Sequence, residues 1–363
     1  MASLENINQD ILIEVLSKLP IKNLFQLRCV SKHWHDLLFQ ASRKLATTTT
    51  LPASGLLYHQ NSDYSYARLL DDTDDYDGLF DIDLGFMPCG SDLRILDSRN
   101  GLLLCLPKTG PQPTLHLCNP MTKTWFTLPK PPKETHPTTL TMAVLAFDPR
   151  RPRYFQVIHY TNLSSTLDVA VFNSGTGRWV EKRVLDEPQP QPLMFRHSVF
   201  ADGALHVLLP PRRHVVRFDV ETGERWMIGL PGSESVGLEE ILGESEGRVH
   251  YANHDGRELT VWVLKERSEW VERLRIDVEG FGDLSCGLLS LDLMNMVRVF
   301  PMKMTPVAFH PSSGVVFVGV MDVVFSVDLV SRRMKAVCRV GTHCVFPFSP
   351  CLFDGFGDVP SSD

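Results

Sequence analysis

The sequence predicts a multi-domain chain: a small all-α N-terminal module of three helices, followed by an all-β propeller of about six blades. Three observations predict it. Apolar residues at helical spacing occupy the first 45 residues and stop there. From about residue 95, short β-rich runs alternate with Gly, Pro, Asn and Asp turns. Trp125, Trp179, Trp226 and Trp270 then follow one another at intervals of 54, 47 and 44 residues, the length of a propeller blade.

Composition narrows the classes. The chain has 363 residues, with 36 Lys and Arg against 43 Asp and Glu, for a formal net charge of −7. That balance lacks the basic face that a nucleic-acid binder needs. Hydrophobic residues make up 43% and charged residues 22%, which excludes a disordered chain. The longest apolar stretch, Val315 to Met321, is far shorter than the ~20 residues of a membrane span. The N-terminal string MASLENINQD has neither the basic nor the apolar region of a signal peptide. The expected location is therefore cytoplasm, nucleus or both, and the sequon at Asn162-Leu163-Ser164 is expected to be unused. The eight cysteines form no C-x-x-C pair and read as small buried residues.

The helices come first. Ile11, Leu12, Val15, Leu16 and Leu19 trace one helical stripe over residues 9–19. Asn8 suits the cap, Asp10 and Glu14 the N-terminal end, and Pro20 the stop. A second helix fits Lys22 to Val30, and a third fits Ser31 to Gln40, with Ser31 as cap. Three such helices bury too little surface to be comfortable alone. Ile7, Ile11, Leu19, Leu24 and Val30 are apolar beyond what their core needs. Pattern alone leaves two readings: a cap packed on the main domain, or a docking module whose spare apolar face belongs to a partner.

The strings around these positions resemble an F-box. They run Ile7-Asn8-Gln9-Asp10-Ile11-Leu12, Leu16-Ser17-Lys18-Leu19-Pro20-Ile21-Lys22-Asn23-Leu24 and Arg28-Cys29-Val30-Ser31-Lys32-His33-Trp34. One departure stands out: Asn8 replaces the proline that usually follows the first apolar residue. The resemblance implies docking to the Skp-type adaptor of a cullin-RING ubiquitin ligase. Ile7, Asp10, Ile11, Leu16, Leu19, Pro20, Leu24, Val30, Ser31 and Trp34 match the motif. Some of these belong to the module's own core, and the string does not sort them.

The β-rich part repeats a weak unit. A glycine opens an apolar strand, and a second strand follows. An N/D-x-x-T/G turn then leads to a Trp or its equivalent. Gly101-Leu102-Leu103-Leu104 leads to Asn119-Pro120-Met121-Thr122-Lys123-Thr124-Trp125. Gly203-Ala204-Leu205-His206 leads to Asp219-Val220-Glu221-Thr222-Gly223-Glu224-Arg225-Trp226. The turn's own carboxylate or amide is expected to hold the turn amides, and the Trp to pack between neighbouring sheets. A closed ring protects sheet edges; an open or irregular array of sheets is the alternative.

This part resembles a kelch-like propeller, and more closely the F-box-associated domain of plant F-box proteins. The carrying strings include Asn100-Gly101-Leu102-Leu103-Leu104, Cys118-Asn119-Pro120-Met121-Thr122, Ala146-Phe147-Asp148-Pro149 and Val261-Trp262-Val263-Leu264-Lys265. The Gly-Gly doublet of kelch strands is absent. The division implied is 1–45 F-box, 46–94 linker with an acidic loop and possible first or closing propeller strands, 95–355 propeller, and 356–363 tail. The resemblance implies the substrate-recognition subunit of an SCF-type ligase, capturing an unknown target protein on the propeller. The alternative is a propeller scaffold whose F-box has a non-degradative role.

Other strings carry less. Gly243-Glu244-Ser245-Glu246-Gly247 spells a nucleophile elbow, but a strand follows where the elbow needs a helix, so no enzyme is expected. Residues 71–83 hold seven aspartates without EF-hand spacing, so they read as a solvated linker. His33, His35, His206, His214, His250 and His254 form no zinc pattern. No metal, cofactor, nucleic acid or membrane is expected. Arg150, Arg151 and Arg153 in one turn, and Arg212, Arg213 and His214 in another, are the candidate target contacts. Basic rim loops can clamp an acidic or phosphorylated segment.

Overall fold

The computed structural model describes residues 9–38 (without 18, 20 and 29), 55–68 (without 61 and 62) and 84–132 (without 89, 91 and 109–113). It also describes 142–185 (without 149, 150, 152, 153, 164 and 165), 198–277 (without 210–212, 233–238 and 267), 303–340, 345–351 and 356. Asn8 and the acidic stretch at 71–83 lie outside the described residues.

The N-terminal stripe forms α1 (Gln9–Ser17) and α2 (Ile21–Arg28), and residues 32–38 are helical. Ser31 caps this third helix, its Oγ accepting from the Trp34 amide at 3.2 Å. Ile13, Leu16, Leu24, Leu37 and Leu38 make a small core, with Leu12, Leu19, Leu27 and Trp34 packed around it.

Among the described residues, the strands form five four-stranded blades and a three-stranded sheet, all antiparallel. The first strands in the chain, β1 (Gly55–Gln60) and β2 (Asp63–Arg68), belong to the three-stranded sheet. Blade one is β3 (Leu93–Arg99), β4 (Leu102–Pro107), β5 (His116–Asn119) and β6 (Thr124–Thr127). Blade two is β7 (Met142–Phe147), β8 (Phe155–Leu163), β9 (Thr166–Asn173) and β10 (Arg178–Leu185). Blade three is β11 (Ser198–Ala201), β12 (Ala204–Leu209), β13 (His214–Asp219) and β14 (Arg225–Gly229). Blade four is β15 (Glu239–Ser245), β16 (Arg248–His254), β17 (Glu258–Lys265) and β18 (Glu269–Asp277). Blade five is β19 (Met304–Phe309), β20 (Val315–Val320), β21 (Val323–Asp328) and β22 (Met334–Arg339). The last strand, β23 (Val345–Phe348), pairs with β1, so both ends of the β-rich part build one sheet.

The sheets close into a ring. Inner strands pack in the order β3, β7, β11, β15, β19, β23 and back to β3. Each gap between neighbouring sheets holds its own apolar core. β1 serves two of them, with Leu56 buried against blade five's residues and Leu57 against blade one's. The inner strands β7 and β19 are almost wholly apolar because both their faces are covered; all six side chains of each are buried. Pro306 is tolerated in β19 at a shift in its pairing with β20.

The turn expectation holds in detail. Asn119, Asn173, Asp219 and Asp328 each end the third strand of a blade, and each side chain accepts from turn amides. Four residues on, Lys123, Gly177, Gly223 and Arg332 all adopt positive φ. The tryptophan expectation holds in part. Trp179 donates to the Pro129 carbonyl at 2.8 Å and Trp270 to the Gly229 carbonyl at 2.9 Å, each tying its blade to the one before. Trp125 does not pack between sheets. It is 43% exposed on short β6, with its ring edge-on to His116.

Candidate functional site: helical ridge and axial cavity

Two surfaces stand out, one on each part of the chain. On the helices, the motif positions separate by exposure. Leu16 and Leu24 are 2% exposed and belong to the module's own core. Leu19 and Trp34 are partly buried against that core. Leu24 is therefore not spare, contrary to the pattern reading. Ile11 and Val30 are 57% and 64% exposed, and Val15, one helical turn after Ile11, is 53% exposed. Asp10 and Ser31 are also exposed. Ile7 and Pro20 lie outside the described residues. Val15 belongs to the sequence stripe but not to the motif string, which is why the string alone passed it over.

On the propeller, antiparallel pairing fixes two faces. One carries the turns from inner to second strand and from third to outer strand. The other carries the turns from second to third strand and the crossings between blades. Cross-blade hydrogen bonds gather on the first face. Asn100 Nδ2 donates to the Phe147 carbonyl at 2.9 Å, and Ser245 Oγ donates to the His310 carbonyl at 2.6 Å. Asn119 Nδ2 donates to the Cys351 carbonyl at 2.9 Å. The Ser245 hydroxyl thus holds neighbouring turns together. Glu246 and Gly247 beside it adopt positive φ in the β15–β16 hairpin, so the elbow-like string is a hairpin turn.

The described members of the two basic clusters lie on opposite faces. Arg151 is exposed in the β7–β8 turn on the first face, whereas Arg213 and His214 follow β12 on the second. Arg150, Arg153 and Arg212 lie outside the described residues. Of the six predicted contacts, the three described do not all come together: Arg151 lies apart from Arg213 and His214. Arg213 is also engaged locally, donating to the Pro231 carbonyl at 2.7 Å.

A cavity of about 120 Å³ runs along the ring axis, lined by residues of all six inner strands. Its lining continues past the strand ends to Asn100, Pro311 and Ser349, which places its mouth on the first face. Arg99 and Glu244 pair at 2.9 Å at this mouth, both partly buried. They sit on β3 and β15, opposite each other in the ring order, so their bridge spans the axis. Glu244 also accepts from the Gly247 amide at 2.6 Å. Deeper in lies Asp97, whose carboxylate accepts from the amides of Ser98 at 2.8 Å and Leu145 at 2.7 Å. Burial pushes its carboxyl above the usual carboxylate range, and the Glu244 charge adds to that; the two amides and Arg99 oppose it. Tyr160 donates to Ser198 Oγ on the same side of the ring. No periodic signal marks Asp97, Arg99 or Glu244, because inner-strand charges interrupt rather than follow the apolar pattern.

Comparison with known proteins decides the family. The F-box domain model matches residues 4–44, and the model described as "F-box protein At3g26010-like, beta-propeller" matches residues 87–334. The chain belongs to the F-box proteins with an At3g26010-like β-propeller. Among relatives of this F-box protein, Arabidopsis thaliana F-box protein At5g07610 is 29% identical, over 74% of this chain and 70% of its own length. Arabidopsis F-box/kelch-repeat protein At5g43190 is 24% identical, over 77% of this chain and 70% of its own length. Arabidopsis F-box protein At5g49610 is 27% identical, over 71% and 74%.

Proposed function

We propose that this F-box protein is the substrate-recognition subunit of an SCF-type ubiquitin ligase, acting in the cytoplasm, the nucleus or both. Its helical module docks a Skp-type adaptor and, through it, a cullin, while the propeller captures a target protein. The observation that carries this reading is the exposure of Ile11, Val15 and Val30 on a module that has an apolar core of its own. Apolar side chains left over after the core is filled gain most by burial against a partner, at about 25 cal/mol per Å². The chain needs no catalytic residue for this role. It holds the target near a ubiquitin-charged enzyme and raises the effective concentration of one for the other.

Co-purification of the full chain with the adaptor tests it. The unaltered chain should retain the adaptor. An Ile11→Asp and Val30→Asp double variant should lose it while keeping the helical circular-dichroism signal, because both positions lie outside the core. Failure of the intact chain to bind any Skp-type adaptor would overturn the reading.

A further inference from the structure

The axial cavity is mostly apolar, with Ile241, Val307, Phe309 and Phe346 from blades four and five and the three-stranded sheet, and with Asp97 and Ser198 among the residues from blades one to three. Its charged side chains are two carboxylates and one guanidinium. That guanidinium, from Arg99, is held at the mouth by Glu244. Among the described residues, Asp97 has no cationic side chain within ion-pair distance, and its hydrogen bonds come from backbone amides. An ionised carboxylate deep in a protein is costly without a counter-charge.

We propose that the axial cavity is a binding site for a primary alkylammonium group, with the ammonium seated on Asp97 and the alkyl stem laid along the apolar wall. A primary ammonium suits the site because its three donors can serve a carboxylate and a second oxygen together, and Ser198 Oγ lines the same wall. The apolar wall rewards the stem, by about 0.8 kcal/mol for each CH₂ buried. The ligand enters on the first face, past the Arg99–Glu244 bridge. A carboxylate ligand could bind only by displacing Glu244 from Arg99, and it would meet Asp97 beyond. The group can come from a free small amine or from a lysine side chain of a bound protein. This inference stands whether or not the chain serves a ubiquitin ligase.

The linkage gives it a signature. In the free protein burial raises the Asp97 carboxyl, with Arg99, Glu244 and Tyr160 as the charged and titratable groups around it. A bound cation favours the ionised carboxylate. Binding therefore releases a proton at low pH and tightens as pH rises through the free carboxyl's range. Titration calorimetry on the full chain with n-butylammonium chloride, from about pH 5 to about pH 7.5 and in two buffers of different ionisation heat, reads both effects. The expected result is saturable binding of one amine, tightening with pH and accompanied by proton release. Asp97→Asn should weaken it at least about tenfold, and sodium butyrate should not bind. The proposal fails if n-butylammonium does not saturate, if Asp97→Asn binds equally well, or if butyrate binds instead. If Asp97→Asn does not fold, proton release by the unaltered chain decides, and its absence overturns the proposal. A capped Gly-Gly-Lys-Gly-Gly peptide and its Nε-acetyl form separate the two sources. Tighter binding of the unacetylated peptide than of butylammonium assigns a protein lysine, and binding of butylammonium alone assigns a free amine.

Discussion

Gly101 and Gly203 open equivalent second strands, and the structure gives them different reasons to be glycine. Both have positive φ, at 86° and 70°. A Cβ on Gly203 would meet nothing within 4 Å, so Gly203→Ala is charged only the left-handed conformation, about 1 kcal/mol. A Cβ on Gly101 would lie 2.2 Å from the Cβ of Cys351 and 2.6 Å from the Ser349 carbonyl oxygen. Neither can retreat, because the Cys351 carbonyl is already bound by buried Asn119. Gly101→Ala should cost about 2 to 4 kcal/mol, the strain plus the overlap. Urea unfolding of the two variants, followed by tryptophan fluorescence, should show the larger midpoint shift for Gly101→Ala. The glycines were legible as the opening of each repeat unit. The difference between them was not, because it depends on a segment from the far end of the chain. The same holds for the Arg99–Glu244 bridge, whose partners share no sequence neighbourhood.

At the scale of the element, the repeated unit is a turn more than a strand. Asp328 shows the logic: its Oδ1 accepts from the amides of Val330 at 3.0 Å and Ser331 at 2.6 Å, while its carbonyl accepts from the Arg332 amide at 3.0 Å. The amides, Ser331's first, hold the carboxyl below the ordinary aspartate value. Asp219 repeats the arrangement with Glu221 and Thr222. Asp328→Ala should therefore destabilise blade five by about 1 kcal/mol, as a lost helix cap would. Asp328→Asn, which keeps an acceptor oxygen, should cost less. Because the folded carboxyl value is depressed, this stabilisation is present above the unfolded aspartate range and is lost as pH falls through the folded one. Amide hydrogen exchange in β21 and β22 should rank the variants Ala above Asn. These turns were the most legible feature of the chain, since an Asx turn is built from neighbours in sequence. The helices were legible as a stripe but not as an interface. Leu24 and Val30 sit in one apolar pattern, and only the third helix, packed through Leu37 and Leu38, buries the first and leaves the second outside.

The whole molecule is a ring whose second strands carry a set of buried neutral histidines. His159 and His206 lie in β8 and β12, and His250 and His254 lie in β16. Among the described residues, Nε2 of His159, Nδ1 of His206 and both ring nitrogens of His254 have no hydrogen-bond partner. Burial pushes His159 and His206 down to about 4, and it also lowers His250, His254 and His116. In the unfolded chain these residues titrate near 6.5. Between the two values the unfolded chain takes up protons that the folded ring refuses, so stability must fall as pH falls. Asp97 and Glu240 oppose this, because burial raises both and the folded state then holds protons the unfolded state lacks. They act only in the upper carboxylate range, two groups against five. The ring's resistance to urea should therefore be level above about pH 7 and decline by a few kcal/mol towards about pH 4. His206→Gln should flatten part of that decline, since glutamine has no charge to acquire. A profile that is level or rising towards low pH would contradict the argument. The sequence shows the histidines one by one. That His159, His206, His250 and His254 share the second-strand layer of neighbouring blades emerges only when the blades stack, and stacking is also what removes their access to water.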